Sequence, residues 1–371
     1  MVDALKKLDK KYLIVAGCVL LLPIVIIILL AIIQGCSNSK ITHEKYEDKM
    51  ISAMESYLND KDKKPTTEGE TVTIKLSKLV EGEYIKSTEK LLGDDACSGS
   101  VTARLNGSTI EENNGGFINY TVNLECDSYK TNSLNSALME DVTTTGSGLY
   151  KQDNSYIFKG EDVDNYLTFF GTLYRIVSID EKGIVKLLKS ESESPERYWD
   201  IKYNVDTESS TGKNIYQDSE MLKYLMAFYS DNKKVSAGAK KHVVSKNICV
   251  GARDINDLSI STTSECSSVL SNQVVSLLNV SDYANASLDP NCLDITSRSC
   301  RNYNYMKNLF LDNWTMTAVS SNSYEVYYIY NGLVKYQSAS KYSSYNIVIY
   351  IDGDEIINSG NGSEETPYVI K

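Results

Sequence analysis

Histidine is almost absent from this chain. The 371 residues hold two, His43 and His242, which removes most imidazole metal sites and most histidine-based acid–base catalysis at the outset. No CxxC knuckle, HExxH, GxSxG, P-loop or GxGxxG occurs, so the usual zinc, hydrolase and nucleotide signatures are missing as well. Prolines number five and arginines six, the latter beside 32 lysines. Acidic residues outnumber basic ones, 49 to 38, for a net charge of −11. Four of the lysines and only two aspartates fall in residues 1–11, so the remainder is more acidic still. A chain of that charge with no basic stripe is poorly suited to neutralising phosphates, and no nucleic-acid partner is expected. Hydrophobic residues make up 42% and charged ones 23%, ordinary values that exclude disorder throughout. The length suits about two to three domains.

One long uncharged run is present. Tyr12–Gln34 reads YLIVAGCVLLLPIVIIILLAIIQ. At about 1.5 Å per residue it is long enough to cross a hydrocarbon core of about 30 Å. Lys6, Lys7, Lys10 and Lys11 flank one side only. The positive-inside rule therefore makes 1–11 a cytoplasmic tail and 12–34 a transmembrane helix, with the bulk of the chain outside the cell. A cleaved signal peptide is the first competitor, but its apolar region is usually only about 7–15 residues. Ile33-Gln34-Gly35-Cys36 approximates a lipobox, which makes Cys36 the candidate lipidation site and acylation the second competitor. The membrane is the first expected partner.

Outside the membrane the fold class expected is α+β: a small α+β domain at 42–130, a linker at 131–148 and a larger β-rich domain at 149–371. Thr42 is a helix cap, after which Tyr46, Met50, Ala53, Met54, Tyr57 and Leu58 recur at helical spacing. Val101, Ala103 and Leu105 alternate in one run; Ile118, Tyr120, Val122 and Leu124 alternate in the next. Cys97 precedes the first and Cys126 ends the second, so an antiparallel pair brings them together as a disulfide. Thr131–Gly148, with TTTGSG, has linker composition. In the larger domain Tyr156–Lys159, Tyr166–Phe169, Leu173–Ile179, Ile184–Lys189 and Val274–Leu278 read as strands. Asp218 is the candidate cap of a helix with apolar residues at Met221, Leu222, Leu225, Phe228 and Tyr229. Tyr324–Tyr330 and Leu333–Tyr336 flank Asn331-Gly332, a strong hairpin signal.

These residues also carry a resemblance. NYLTFFGTLYRIVSIDEKGIVKLLK (Asn165–Lys189), DYANASLDPNC (Asp282–Cys292), CRNYNYM (Cys300–Met306), NWTMT (Asn313–Thr317) and SGNGSEETPYVIK (Ser359–Lys371) stand in order along the chain. Together they resemble a domain of membrane-anchored surface proteins in low-G+C Gram-positive bacteria and their wall-less relatives. The helix and Cys97/Cys126 region is similar to the pilin-like segment that often precedes it. The resemblance implies a C-type-lectin-like or formylglycine-generating-enzyme-like fold for the larger domain, and display at the cell surface. This chain has Tyr174 where the family usually has Trp, and Asn346-Ile347 where it usually has Arg-Pro.

Cys249, Cys266, Cys292 and Cys300 allow three connectivities. Sequential pairing closes the shortest loops; a four-cysteine zinc site is the alternative, against an oxidising compartment and the absent knuckle. No metal and no cofactor is expected. Glu161-Asp162-Val163-Asp164 and Asp352-Gly353-Asp354-Glu355 are acid clusters with oxygen ligands for calcium, Asp162 and Asp164 being the weak candidates. Neither cluster has EF-hand spacing, so solvated turns are the default reading. His242 has no carboxylate nearby in sequence and reads as a surface residue. No catalytic residue is expected, because the chain offers neither a supported base nor a free external thiol. Tyrosine is abundant instead, 27 in all. Tyr327, Tyr328, Tyr330 and Tyr336 are the candidate ligand-binding residues: one face of their strands must be core, and the other offers flat amphipathic rings. The expected function is non-catalytic binding or adhesion to a cell-surface glycan or protein. A pilin-like or secretion-apparatus structural subunit is the alternative, and an enzyme with a cryptic carboxylate site a third.

Overall fold

A computed structural model describes residues 40–93, 97–108 and 116–370. The tail 1–11, the expected transmembrane helix at 12–34 and Cys36 lie outside the described residues. Among the described residues no helix is long and apolar enough to cross a membrane. The fold is mixed α+β with strands predominating.

The small domain is a helix laid on an antiparallel sheet. The Thr42 side chain accepts from the Lys45 backbone N–H and opens the helix His43–Lys61. All six residues of its apolar stripe are buried, because a 3.6-residue period puts them on one face. They pack on strands β1 (Thr71–Lys75), β2 (Ser98–Asn106), β3 (Phe117–Cys126) and β4 (Tyr129–Lys130), paired in that order. Val101 lies opposite Val122, and Cys97 and Cys126 meet at the open end of this pairing in a disulfide.

The segment expected as a linker is ordered instead. Residues Leu134–Glu140 form a helix capped reciprocally by Ser133 and Ser136, and Leu134 and Leu138 are wholly buried in the large core. The turn-rich composition of Thr131–Gly148 hid this one apolar i, i+4 pair.

The large domain is built on a nine-stranded sheet. Its main path runs β13 (Val275–Ser276), β18 (Val348–Asp352), β9 (Ile184–Lys189), β8 (Thr172–Ile179), β7 (Tyr166–Phe169), β20 (Tyr368–Ile370) and β19 (Ile357–Ser359). The hairpin β5 (Gly148–Gln152)–β6 (Ser155–Lys159) attaches to the far end of β8. All pairs are antiparallel except β20 with β7. A helix, Glu220–Ser230, covers one part of the sheet; its cap is Ser219, whose hydroxyl accepts from Leu222, in place of the expected Asp218. A separate three-stranded sheet, β14 (Asp312–Ala318), β15 (Glu325–Tyr330) and β16 (Leu333–Ser338), turns at Asn331-Gly332, both at positive φ. Cys249–Cys266 and Cys292–Cys300 are disulfides, the sequential pairing. The first closes the loop between β11 (Lys246–Cys249) and β12 (Val269–Gln273), an antiparallel pair outside the nine-stranded sheet, and the second staples an irregular segment.

The two domains are joined by specific contacts. Arg104 on β2 pairs with Asp352 at 3.0 Å. Asn106 donates to the carbonyl of Lys241 in the helix Ala237–His242. Asn119 on β3 donates to Glu355, and Ile356 packs on the core of the small domain.

Candidate functional site

The candidate tyrosines divide by the geometry of their strands. In register, Trp314 lies opposite Tyr328, Tyr328 opposite Lys335, and Tyr327 opposite Tyr336. Side chains alternate along a strand, so Tyr328, Tyr330, Trp314 and Lys335 share one face while Tyr327 and Tyr336 share the other. Tyr327 is 1% exposed, and burial pushes its phenol up to about 12. It is a core residue, which corrects its place among the ligand-binding candidates. Tyr328 is half-buried against Trp314. Tyr330 and Tyr336 are exposed, at 41% and 46%, on opposite faces.

The face of Tyr328 continues into neighbouring aromatics. Tyr330 lies 6.3 Å from Tyr328, and Tyr328 lies 6.0 Å from Trp314. Trp314 donates its indole N–H to the carbonyl of Arg197. Next to Arg197, Tyr198 sits edge-on to Tyr342, centroid to centroid 5.6 Å, and Tyr342 is 61% exposed. Exposed rings thus stand at both ends of this set, with Tyr328 and Tyr198 half-buried, Trp314 buried, and the Arg197 backbone linking its two parts. Each end is braced: the Lys335 ammonium lies 4.9 Å from the Tyr330 ring centre, and Tyr198 holds Tyr342. Braced rings lose little freedom on binding, which is what an aromatic anchor needs. Tyr342 and Tyr198 were not among the sequence candidates; the pairing of β10 (Arg197–Tyr198) with β17 (Tyr342–Ser343) is what brings them in.

A polar cleft of about 640 Å³ lies between the domains, lined in part by Glu68, Arg104, Asp180 and Lys246. It continues into a space of about 350 Å³ that shares Asp180 and Lys246 and adds Lys186, Asp282 and Tyr350. Lys186 bonds Asp282 at 2.8 Å, whose other oxygen accepts the Asn279 backbone N–H; Lys246 pairs with Asp180. Burial pulls the Lys186 ammonium down, but Asp282 and neighbouring groups outweigh it and hold it above the usual lysine range. Burial wins at Lys246, which is held below that range despite Asp180. Sequence reasoning assigned none of these residues a role. The available signal was Lys186 itself, a charge between the buried Val185 and Leu187 of β9.

His242 is not the isolated surface residue that its sequence neighbourhood suggests. Its Nδ1 lies 2.9 Å from the buried carboxylate of Glu355. Asp162 and Asp164 are both exposed, and no group of three or more candidate metal ligands occurs among the described residues. No family model, curated protein or solved structure matches the chain.

Proposed function

We propose that this protein is a single-span surface protein, with its N-terminus cytoplasmic, whose head is a non-catalytic module for recognising a cell-surface glycan or protein. The observation that carries the reading is the braced aromatic run that ends in Tyr330 and Tyr342. Recognition needs area and a few rigid anchors, and tyrosine supplies both at low entropic cost. The acidic charge favours a neutral or basic partner. The resemblance to bacterial surface proteins and a C-type-lectin-like head agrees with this role. The second reading, a pilin-like structural subunit, rests on the helix His43–Lys61 packed on its antiparallel sheet.

The test uses the full chain reconstituted in lipid nanodiscs on glycan and surface-protein arrays. Binding that is lost in a Tyr330→Ala/Tyr342→Ala double variant supports the module. Assembly into filaments, with no array binding, favours the structural subunit. External protease on intact cells should release the head and leave a short membrane-protected fragment; protection of the whole chain contradicts the proposed topology.

A further inference from the structure

A third cavity, of about 400 Å³, lies between the tip of the β7–β8 hairpin and the loop that joins Glu220–Ser230 to Ala237–His242. It shares no lining residue with the polar cleft or with the aromatic run. Phe169, Phe170, Tyr174, Phe228 and Tyr229 supply aromatic walls, with aliphatic residues from β13 and the β18 region behind them.

The hairpin tip is strained. Phe169 pairs with Thr172, so Phe170 and Gly171 form a two-residue turn, with φ of 46° and 82°. Such turns take Asn, Asp or Gly at the first position, because a bulky side chain is disfavoured at positive φ. The β15–β16 hairpin of this same chain follows the rule with Asn331-Gly332. Phe170 breaks it, and its burial is too small to compensate, since 52% of the residue is exposed. Its ring reaches across to His242, 5.5 Å away, and a Cβ on Gly238 would stand only 3.0 Å from it. The strained residue therefore closes one wall of the cavity, and strain of this kind is retained where a ligand site requires it.

Charge indicates the occupant. Among the cavity-lining residues three lysines face one glutamate, and Lys189 is already paired with Glu193. Lys233 and Lys234 remain, both exposed and in no ion pair among the described residues. In a chain of net charge −11 this is a local positive rim over an apolar interior.

We infer that this cavity binds a small aromatic carboxylate, its ring between Phe170 and Phe228 and its anionic group at Lys233 and Lys234. The site is independent of the aromatic run on the three-stranded sheet, so either can fail without the other.

The probes are 3-phenylpropionate, its neutral amide and 3-phenylpropylamine, titrated by ligand-observed NMR against the full chain in nanodiscs with empty discs as reference. The carboxylate should bind most tightly and the amine least. Phe170→Gly should weaken the carboxylate by roughly tenfold, the scale of a lost aromatic wall, while raising Tm because the turn is relieved. Phe170→Asn, equally at ease at positive φ, should do the same. Lys233→Glu/Lys234→Glu should reverse the preference between anion and amine. Equal binding of anion and amine, no saturable binding above empty discs, or a Phe170→Gly variant with lower Tm and unchanged affinity would each overturn the inference.

Discussion

Glu355 and His242 stand 113 residues apart in sequence and 2.9 Å apart in space. The other oxygen of Glu355 accepts from Asn119 on β3 of the small domain at 2.6 Å. One buried carboxylate therefore ties the Ala237–His242 helix, the segment after β18 and the small domain together. Removing it leaves two polar side chains without their partner at the domain junction.

That arrangement has a pH signature. Burial raises the Glu355 carboxyl, and the bonds from His242 and Asn119 only partly oppose the rise. The folded state thus holds this proton more tightly than the unfolded chain. Stability from Glu355 is fully present below the ordinary glutamate range, about 4.3, and is lost as pH rises through the raised folded value. Chemical denaturation of Glu355→Gln should show a flatter pH dependence above that range than the unsubstituted chain. The flattening is partial, because Asp354 is also raised, by burial and by Asp352. Glu355→Ala should cost about 1–3 kcal/mol at neutral pH by leaving buried polar groups unpaired. A wild-type curve that rises over the same window contradicts the assignment.

Arg253 is the second strong point. Its side chain is fully buried with that of Glu265, which it contacts at 2.5 Å. The guanidinium also donates to the carbonyls of Asp257, Ser259 and Ser261. It holds a loop that has little regular structure of its own. Arg253→Met should destabilise by about 3–5 kcal/mol, because Glu265 is left as an uncompensated buried charge. The double variant Arg253→Met/Glu265→Leu should lose less than the two single variants combined. Additive losses in thermal melts would show that the pair is not coupled.

The disulfides give a ranking. Sequence separations are 29 for Cys97–Cys126, 17 for Cys249–Cys266 and 8 for Cys292–Cys300. The chain-entropy relation then gives about 3.6, 3.1 and 2.5 kcal/mol. Pairwise replacement by Ser should lower stability in that order. The largest loss should fall in the small domain, where hydrogen exchange should report it locally. A free thiol at any of the six cysteines in oxidised protein contradicts the pairing.

What the sequence made legible was local. The helix His43–Lys61 follows from a 3.6-residue stripe, β2 and β3 follow from strict alternation, and Asn331-Gly332 sets its own hairpin. Cys97–Cys126 follows from the two alternating runs that the cysteines bracket, whereas the four cysteines of the large domain left three connectivities open and only the fold selects the sequential one. The links that organise the cleft and the domain junction join residues far apart: Lys186 to Asp282 across 96 positions and His242 to Glu355 across 113. No periodicity records such a meeting. Alternation also separates Tyr327 from Tyr328 without saying which side is core. That choice belongs to the segment around Arg253, whose Asp254 carbonyl accepts from the Tyr327 hydroxyl.

The tyrosines allow structure and function to be separated by experiment. Tyr327 is 1% exposed and packs edge-on to Tyr336 at 5.9 Å, so Tyr327→Ala removes a large side chain from the core. A loss of about 3–5 kcal/mol is expected, as for other buried aromatics. Tyr330 and Tyr342 are exposed at 41% and 61%; truncating Tyr330 forfeits a cation–π contact and its ring contact with Tyr328, and truncating Tyr342 one edge-on pair. Each should shift stability by about 1 kcal/mol or less. Binding should show the opposite order, with Tyr330→Ala and Tyr342→Ala weakening capture of the array partner while their melting curves overlay the parent. Tyr336→Ala is the control, because its exposed ring lies on the other face of the sheet, beside Tyr327. Lost capture in Tyr336→Ala, with Tyr330→Ala and Tyr342→Ala unaffected, would move the recognition surface to that opposite face.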